Sequence, residues 1–114
     1  MRRGFKVVWT RTAEDDVSAI LDYIAHHESA DRALDAYERL RQSIGPLALL
    51  PLRGRVVPEL QAVGLQDYRE VVVAPYRVCF RVIGRRVLLL GVLDGRRDLA
   101  ELLIDRAIRS SRET

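Results

Sequence analysis

YREVVVAPYRVCFRVIGRRVLLLGVLDGRRDL, Tyr68 to Leu99, is the stretch that decides the fold. It reads as three strands, Arg69 to Ala74, Arg77 to Ile83 and Arg86 to Leu93. Tyr76, Val78, Phe80 and Val82 alternate with Arg77, Cys79, Arg81 and Ile83, the period-2 pattern of a strand with one core face and one partly wet face. Pro75 and Gly84 fall in the two short connections, so the strands form an antiparallel meander. Val87 to Leu90 is unbroken apolar sequence, as in a strand covered on both faces. Arginine supplies most of the polar positions, and guanidinium groups grip phosphates or carboxylates by bidentate hydrogen bonds.

Two helices are expected ahead of the meander. Phe5 to Trp9 is a short strand, and Thr12 with Asp15 three residues later resembles a capping box. Ala13, Val17, Ile20, Leu21 and Ile24 then follow helical spacing, with Glu14, Asp15, Ser18 and Asp22 opposite. This helix should end near His27 or Glu28. Ser29 reads as the N-cap of a second helix with Asp31 in its first turn. Its apolar stripe is Ala33, Tyr37, Leu40, Ile44 and Leu47, with Leu34 beside it. The short connection implies an antiparallel hairpin. Gly45-Pro46 should kink or break the second helix. Leu52 to Leu65 reads as a loop with a short extended piece at Val56 to Leu60, and Asp98 to Ser110 as a last helix with Leu99, Leu102, Leu103 and Ala107 on one face. The expected class is α+β: a small antiparallel sheet on an N-terminal helical hairpin, in the order β-α-α-β-β-β-α, as one domain over residues 1–114.

The 114 residues, 48% apolar, suit one domain with a real core rather than a disordered chain. The single cysteine, Cys79, excludes a disulfide framework or a cysteine metal cluster within the chain and fits a reducing compartment. No apolar run reaches membrane-spanning length, and MRRGFKVVW leads into a strand rather than resembling a signal peptide. The protein is expected to be cytoplasmic and to need no cofactor or metal. Net charge is +3, and of the 19 basic residues only Lys6 is lysine. Residues 13–38 are rich in acids while 53–97 are dominated by arginine, so the second half is the face for an acidic partner or a phosphate backbone.

The hairpin, PLRGRVVPEL (Pro51 to Leu60), YRE (Tyr68 to Glu70), PYRV (Pro75 to Val78) and VLDGRRDL (Val92 to Leu99) together resemble the RelE/ParE toxins of type II toxin–antitoxin systems. Each motif is short; their order and spacing from Trp9 to about Ile108 carry the resemblance. It implies a growth-inhibiting toxin neutralised by a cognate antitoxin. RelE-like members cut messenger RNA on the ribosome, whereas ParE-like members poison DNA gyrase and have no known catalytic residues. The long hairpin and the GR-x-VPEL loop are closer to the ParE branch. Many relatives carry a histidine just before the Gly-Arg-Arg of the last strand. Here that position is Asp94, so no proton-transfer role carries over.

RNA cleavage at a 2′-OH needs a base, an acid and cations for the phosphorane charge. Arg55, Arg69, Arg77, Arg81, Arg96 and Arg97, with Tyr76, are the candidate target- or phosphate-binding residues. A base is harder to find: arginine stays protonated, Tyr68 and Tyr76 would need large pKa shifts, and Lys6 lies far off in sequence. No residue is assigned a catalytic role. The inventory therefore favours binding over cleavage.

Each candidate has a plainer reading. Arg77 and Arg81 could be a solvated face balanced by Glu70, and Arg96 and Arg97 could flank an Asp98 cap. His26 and His27 read as solvent-facing residues at a helix C-terminus, without metal-ligand spacing. Cys79 reads as a packed sheet residue, and Trp9 and Tyr37 as core.

The function expected is a ParE-like gyrase-binding toxin. Its antitoxin would dock by an amphipathic, acidic-leaning segment, through helix-in-groove contacts or strand addition. The alternatives are a RelE-like ribosome-dependent interferase, with ribosome and mRNA as partners, and a non-toxic partner in an autorepressing complex. Nothing in the chain looks like a DNA-reading helix.

Overall fold

The computed structural model describes residues 4–111. Strand β1 (Lys6–Trp9) leads into helix α1 (Arg11–His27) through Thr10. The Thr10 hydroxyl donates to the Leu89 carbonyl at 2.8 Å and accepts from the Ala13 N–H at 3.1 Å. One residue thus ends the strand and caps the helix. The expected Thr12 cap is corrected: the helix begins before it, because Thr10 is the residue with extended backbone. Ser29 does cap helix α2 (Ala30–Ile44), its Oγ accepting from the Arg32 N–H at 3.1 Å.

At Gly45-Pro46 the α-helix gives way to a 3-10 turn, Gly45–Ala48, as a proline inside a helix requires. A second 3-10 turn, Pro51–Arg53, precedes the two-residue strand β2 (Arg55–Val56). The next segment differs from the loop expected there. Pro58–Gln61 is a short helix, α3, with Pro58 at its start and Glu59 in its first turn. The meander follows as β3 (Tyr68–Val73), β4 (Tyr76–Ile83) and β5 (Arg86–Asp94), and helix α4 (Ala100–Ser110) ends the described fold.

The five strands lie in the order β1-β5-β4-β3-β2. The meander is antiparallel, as expected, but β1 pairs with β5 in parallel. The hairpin is the crossover that returns the chain to the same end of the sheet. Helices α1 and α2 cover one face, burying Val78, Phe80, Val87, Leu89 and Val92 against Ala13, Val17, Leu40, Ile44 and Leu47. Helices α3 and α4 contribute to a second core on the other face, where Tyr68, Cys79, Leu88, Leu90 and Leu93 meet Leu60, Leu103 and Ala107. The apolar run Val87 to Leu90 is buried on both faces for this reason. Register shifts between Cys79 and Phe80, which pair with Gly91 and Leu89 and leave Leu90 as the extra residue. This bulge lets Leu88, Leu90 and Leu93 share one face while Leu89 and Val92 share the other.

Three apolar side chains expected in the core are not there. Trp9, Tyr37 and Leu102 are exposed, Tyr37 at 47%. The buried stripe of α2 is Ala36, Leu40, Ile44 and then Leu47, rotated by one residue from the expected one, so Tyr37 sits beside the core rather than in it.

Candidate functional site

The structure divides the candidate arginines into two groups. The first lies on β2, β3 and β4 and is held by internal contacts, Arg55, Arg77 and Arg81 on the α3–α4 face and Arg69 on the hairpin face. The Glu70 carboxylate, fully buried, accepts from Arg77 Nε at 2.8 Å and from Arg55 Nε at 2.7 Å. The Arg77 guanidinium also forks onto Glu59, both bonds 2.6 Å. Those bonds raise the Arg77 pKa and hold the Glu59 carboxyl below its ordinary value.

Around this network the remaining groups are also engaged. Arg69 donates to the Gly54 carbonyl at 2.8 Å. Gly54 itself presses on the sheet: a Cβ there would stand 2.7 Å from the Glu70 carbonyl and 2.9 Å from the Phe80 ring. Arg81 lies over the Tyr68 ring, 5.6 Å from its centre. Cys79 is buried beside Glu70, and burial pushes its thiol up to about 12. The expected wet arginine face is therefore corrected in part: α3 and α4 cover it, and Arg77, on the central strand, is a buried clamp. The sequence signal for this was Pro58-Glu59, a proline and an acid where a helix starts.

The second group faces solvent beside the β3–β4 turn, next to the clamp, where the Arg77 side chain packs against Gly95. Tyr76, Arg96 and Arg97 converge with Arg32 and Arg39 of α2 on a cleft of about 990 Å³, floored by Ile20, Ile24, Ala36 and Pro75. Arg96 forks onto Asp94 through Nε at 3.0 Å and Nη2 at 2.7 Å, and this pairing holds Asp94 at about 2. Arg39 donates to the Ala74 carbonyl at 2.7 Å, tying α2 to the β3–β4 turn. Burial raises the Tyr76 phenol, and Asp94 adds to the effect. Among the described residues the Arg97 side chain makes no ion pair or hydrogen bond. Arg32 and Arg39 had no sequence motif to announce them; their position on the α2 flank comes only from packing.

A separate apolar groove of about 490 Å³ runs along the other side of the hairpin, lined by Val7, Trp9, Val17, Tyr37, Leu40 and Ile44. It explains the exposure of Trp9 and Tyr37. The histidines take the plainer reading: both are exposed, with His26 Nδ1–H donating to the Asp22 carbonyl at 2.9 Å and His27 Nδ1–H to that of Tyr23 at 3.0 Å. Among the described residues no group of three His, Cys, Asp or Glu side chains could hold a metal. No described helix is long and apolar enough to cross a membrane.

The family model for the ParE toxin of type II toxin–antitoxin systems matches residues 7–99. The chain belongs to the ParE toxin family. The family match takes in the apolar groove, the Glu70–Arg77 clamp and the Asp94–Arg97 corner, and ends just before α4. A solved chain of the chromosomal ParDE TA system from P. aeruginosa superposes with a TM-score of 0.65 at 24% identity, covering 79% of this chain and 95% of that one. At that identity the likeness shows that the ParE family chain shares its fold. Comparison with curated proteins gives no match.

Proposed function

We propose that this ParE family chain is a toxin that arrests growth by binding DNA gyrase in the cytoplasm, without chemistry of its own, and that a cognate antitoxin neutralises it. The occupied clamp carries this reading: Arg55 and Arg77, the cations best placed on the sheet, already satisfy Glu70 and Glu59. Arg77, buried between the two carboxylates, is not available to a phosphorane. The exposed corner does not supply the missing base. Tyr76 is shifted upward, which keeps its proton on, and a carboxylate held at about 2 is a feeble proton acceptor.

The apolar groove supports the antitoxin part of the reading. Trp9, Tyr37, Leu40 and Ile44 offer the surface that the apolar stripe of an amphipathic helix fills. Edge strand β1 beside it offers backbone groups for strand addition.

A second reading, messenger RNA cleavage, is favoured by one observation: Tyr76 shares its cleft with Arg39, Arg96 and Arg97. Induced expression without antitoxin separates the readings. Filamentation and a DNA-damage response with intact transcripts support gyrase binding. Rapid transcript cleavage without DNA damage overturns it, and unaffected growth points to the non-toxic partner.

A further inference from the structure

We infer that the cleft between the hairpin tip and the Asp94–Arg97 corner docks an acidic protein segment of the toxin's target, at a site separate from the groove assigned to the antitoxin. The inference deepens the reading of the chain as a target-binding toxin and rests on it.

The composition of the cleft selects the kind of ligand. Its rim alternates bases, Arg32, Arg39, Arg96 and Arg97, with acids, Glu28, Asp35 and Asp94. A nucleic-acid backbone favours a uniformly basic track, because each phosphate contact releases counterions and each carboxylate opposes it. A mixed rim around the apolar floor of Ile20, Ile24 and Pro75 is instead the anatomy of a protein interface. Tyr23, 61% exposed and stacked on His27 with ring centres 4.1 Å apart, stands at the mouth as a rigid aromatic. Tyrosine and arginine are the residues that anchor such interfaces.

Most of the rim charge is committed. Arg96 is held by Asp94, Arg32 by Glu28 at 3.4 Å, and Arg39 by the Ala74 carbonyl. These bonds fix the walls before a partner arrives, which lowers the ordering cost of binding. Among the described residues Arg39 and Arg97 have no acid paired with them and Asp35 no base, so the rim keeps a net positive charge, and the occupant must bring a carboxylate to Arg97 and an apolar anchor to the floor. The cleft and the groove lie on opposite sides of α2: Ala36 and Arg39 line the first, Tyr37, Leu40 and Arg41 the second.

The test uses the purified full chain and three binding or activity readouts: affinity for purified DNA gyrase, affinity for the cognate antitoxin, and growth inhibition. Arg97→Glu leaves no internal partner behind, and Arg53→Glu makes the same charge change on an exposed side chain remote from the cleft. Arg97→Glu should weaken gyrase binding about tenfold or more and relieve toxicity, with antitoxin affinity within about twofold of wild type. Arg53→Glu should match wild type in all three. Gyrase binding and toxicity undiminished in Arg97→Glu overturn the cleft. If wild type arrests growth without binding gyrase, relief by Arg97→Glu with intact antitoxin binding still supports the cleft, and only gyrase as target is wrong. Loss of transcript cleavage in a translation extract on Arg97→Glu would make the ligand RNA and overturn the inference. A wild-type chain that neither binds gyrase nor slows growth contradicts both.

Discussion

Asp16 of α1 and Arg106 of α4 form a two-pronged ion pair, with Oδ2 to Nη1 at 2.8 Å and Oδ1 to Nη2 at 2.9 Å. The pair finishes the sheet. Strand β1 reaches only as far as Leu89 on β5, so the edge beyond is without a neighbouring strand. There Asp16 Oδ2 accepts from the Val92 N–H at 3.0 Å and Arg106 Nη1 donates to the Leu90 carbonyl at 2.9 Å. Two side chains thus take the place of strand backbone, directly at the bulge.

Both side chains are largely buried, 13% and 16% exposed, so removing one leaves the other stranded. Arg106→Ala is expected to cost about 3 kcal/mol, on the order of 10 °C in Tm. Gly91 is the residue that admits the pair: a Cβ there would strike the Arg106 guanidinium and stand 3.0 Å from Asp16 Oδ2. Gly91→Ala should therefore destabilise the wild type but do much less in an Arg106→Ala background. Additive losses in a urea-denaturation double-mutant cycle would show that the two are not coupled.

The buried clamp makes a prediction about Arg77 that differs from its reading as an exposed contact. Arg77→Met leaves the Glu70 carboxylate buried with Arg55 alone and releases Glu59, and with it the tie from α3 to the sheet. The expected loss is about 3 kcal/mol. Any loss of toxicity in an Arg77/Arg81 double substitution should then follow the fraction unfolded by circular dichroism. A folded, fully stable Arg77→Met chain would contradict the structural role.

Acid should weaken the fold in a defined window. Glu59 is held below its ordinary 4.5 by its bonds to Arg77, and Asp94 is held at about 2 by Arg96. Both folded pKa values are depressed, so the stability they contribute is present above the unfolded values and lost as pH falls through the folded ones. The urea midpoint should therefore fall from about pH 4.5 toward pH 2, and Glu59→Gln with Asp94→Asn should flatten that fall. An unchanged acid slope in the double variant would place the sensitive groups elsewhere.

Cys79 should be silent in the native protein. Burial raises its thiol from 9.0 to about 12, and the thiolate is the reactive form. A thiol reagent at pH 8 should label it no faster than the chain unfolds, with labelling accelerated in Arg106→Ala. Prompt stoichiometric labelling of the folded wild type would show that the cysteine is accessible.

Much of the fold is legible because local pattern and tertiary demand agree. Val87 to Leu90 announces a strand covered on both faces, Ser29 a helix cap, and Gly45-Pro46 a helix end. Where two patterns compete, the sequence is silent about which wins. Ala33-Tyr37 and Ala36-Leu40 are both helical stripes, and only packing on the sheet chooses the second. The arginines are the harder case. Glu70 and Glu59 reach Arg77 from 7 and 18 residues away, so nothing local separates a clamped guanidinium from a free one. Tyr76, Arg96 and Arg97 were legible as candidates, but their cleft is completed by α2 residues that carry no motif.

The central claim, a toxin that acts by binding gyrase rather than by cutting RNA, is most directly tested with purified components. The chain should be titrated into DNA gyrase with relaxed plasmid, and in parallel into a translation extract carrying a defined message. The account predicts loss of supercoiling near one chain per gyrase site while the message stays whole. Full supercoiling beside a cleaved message would contradict it.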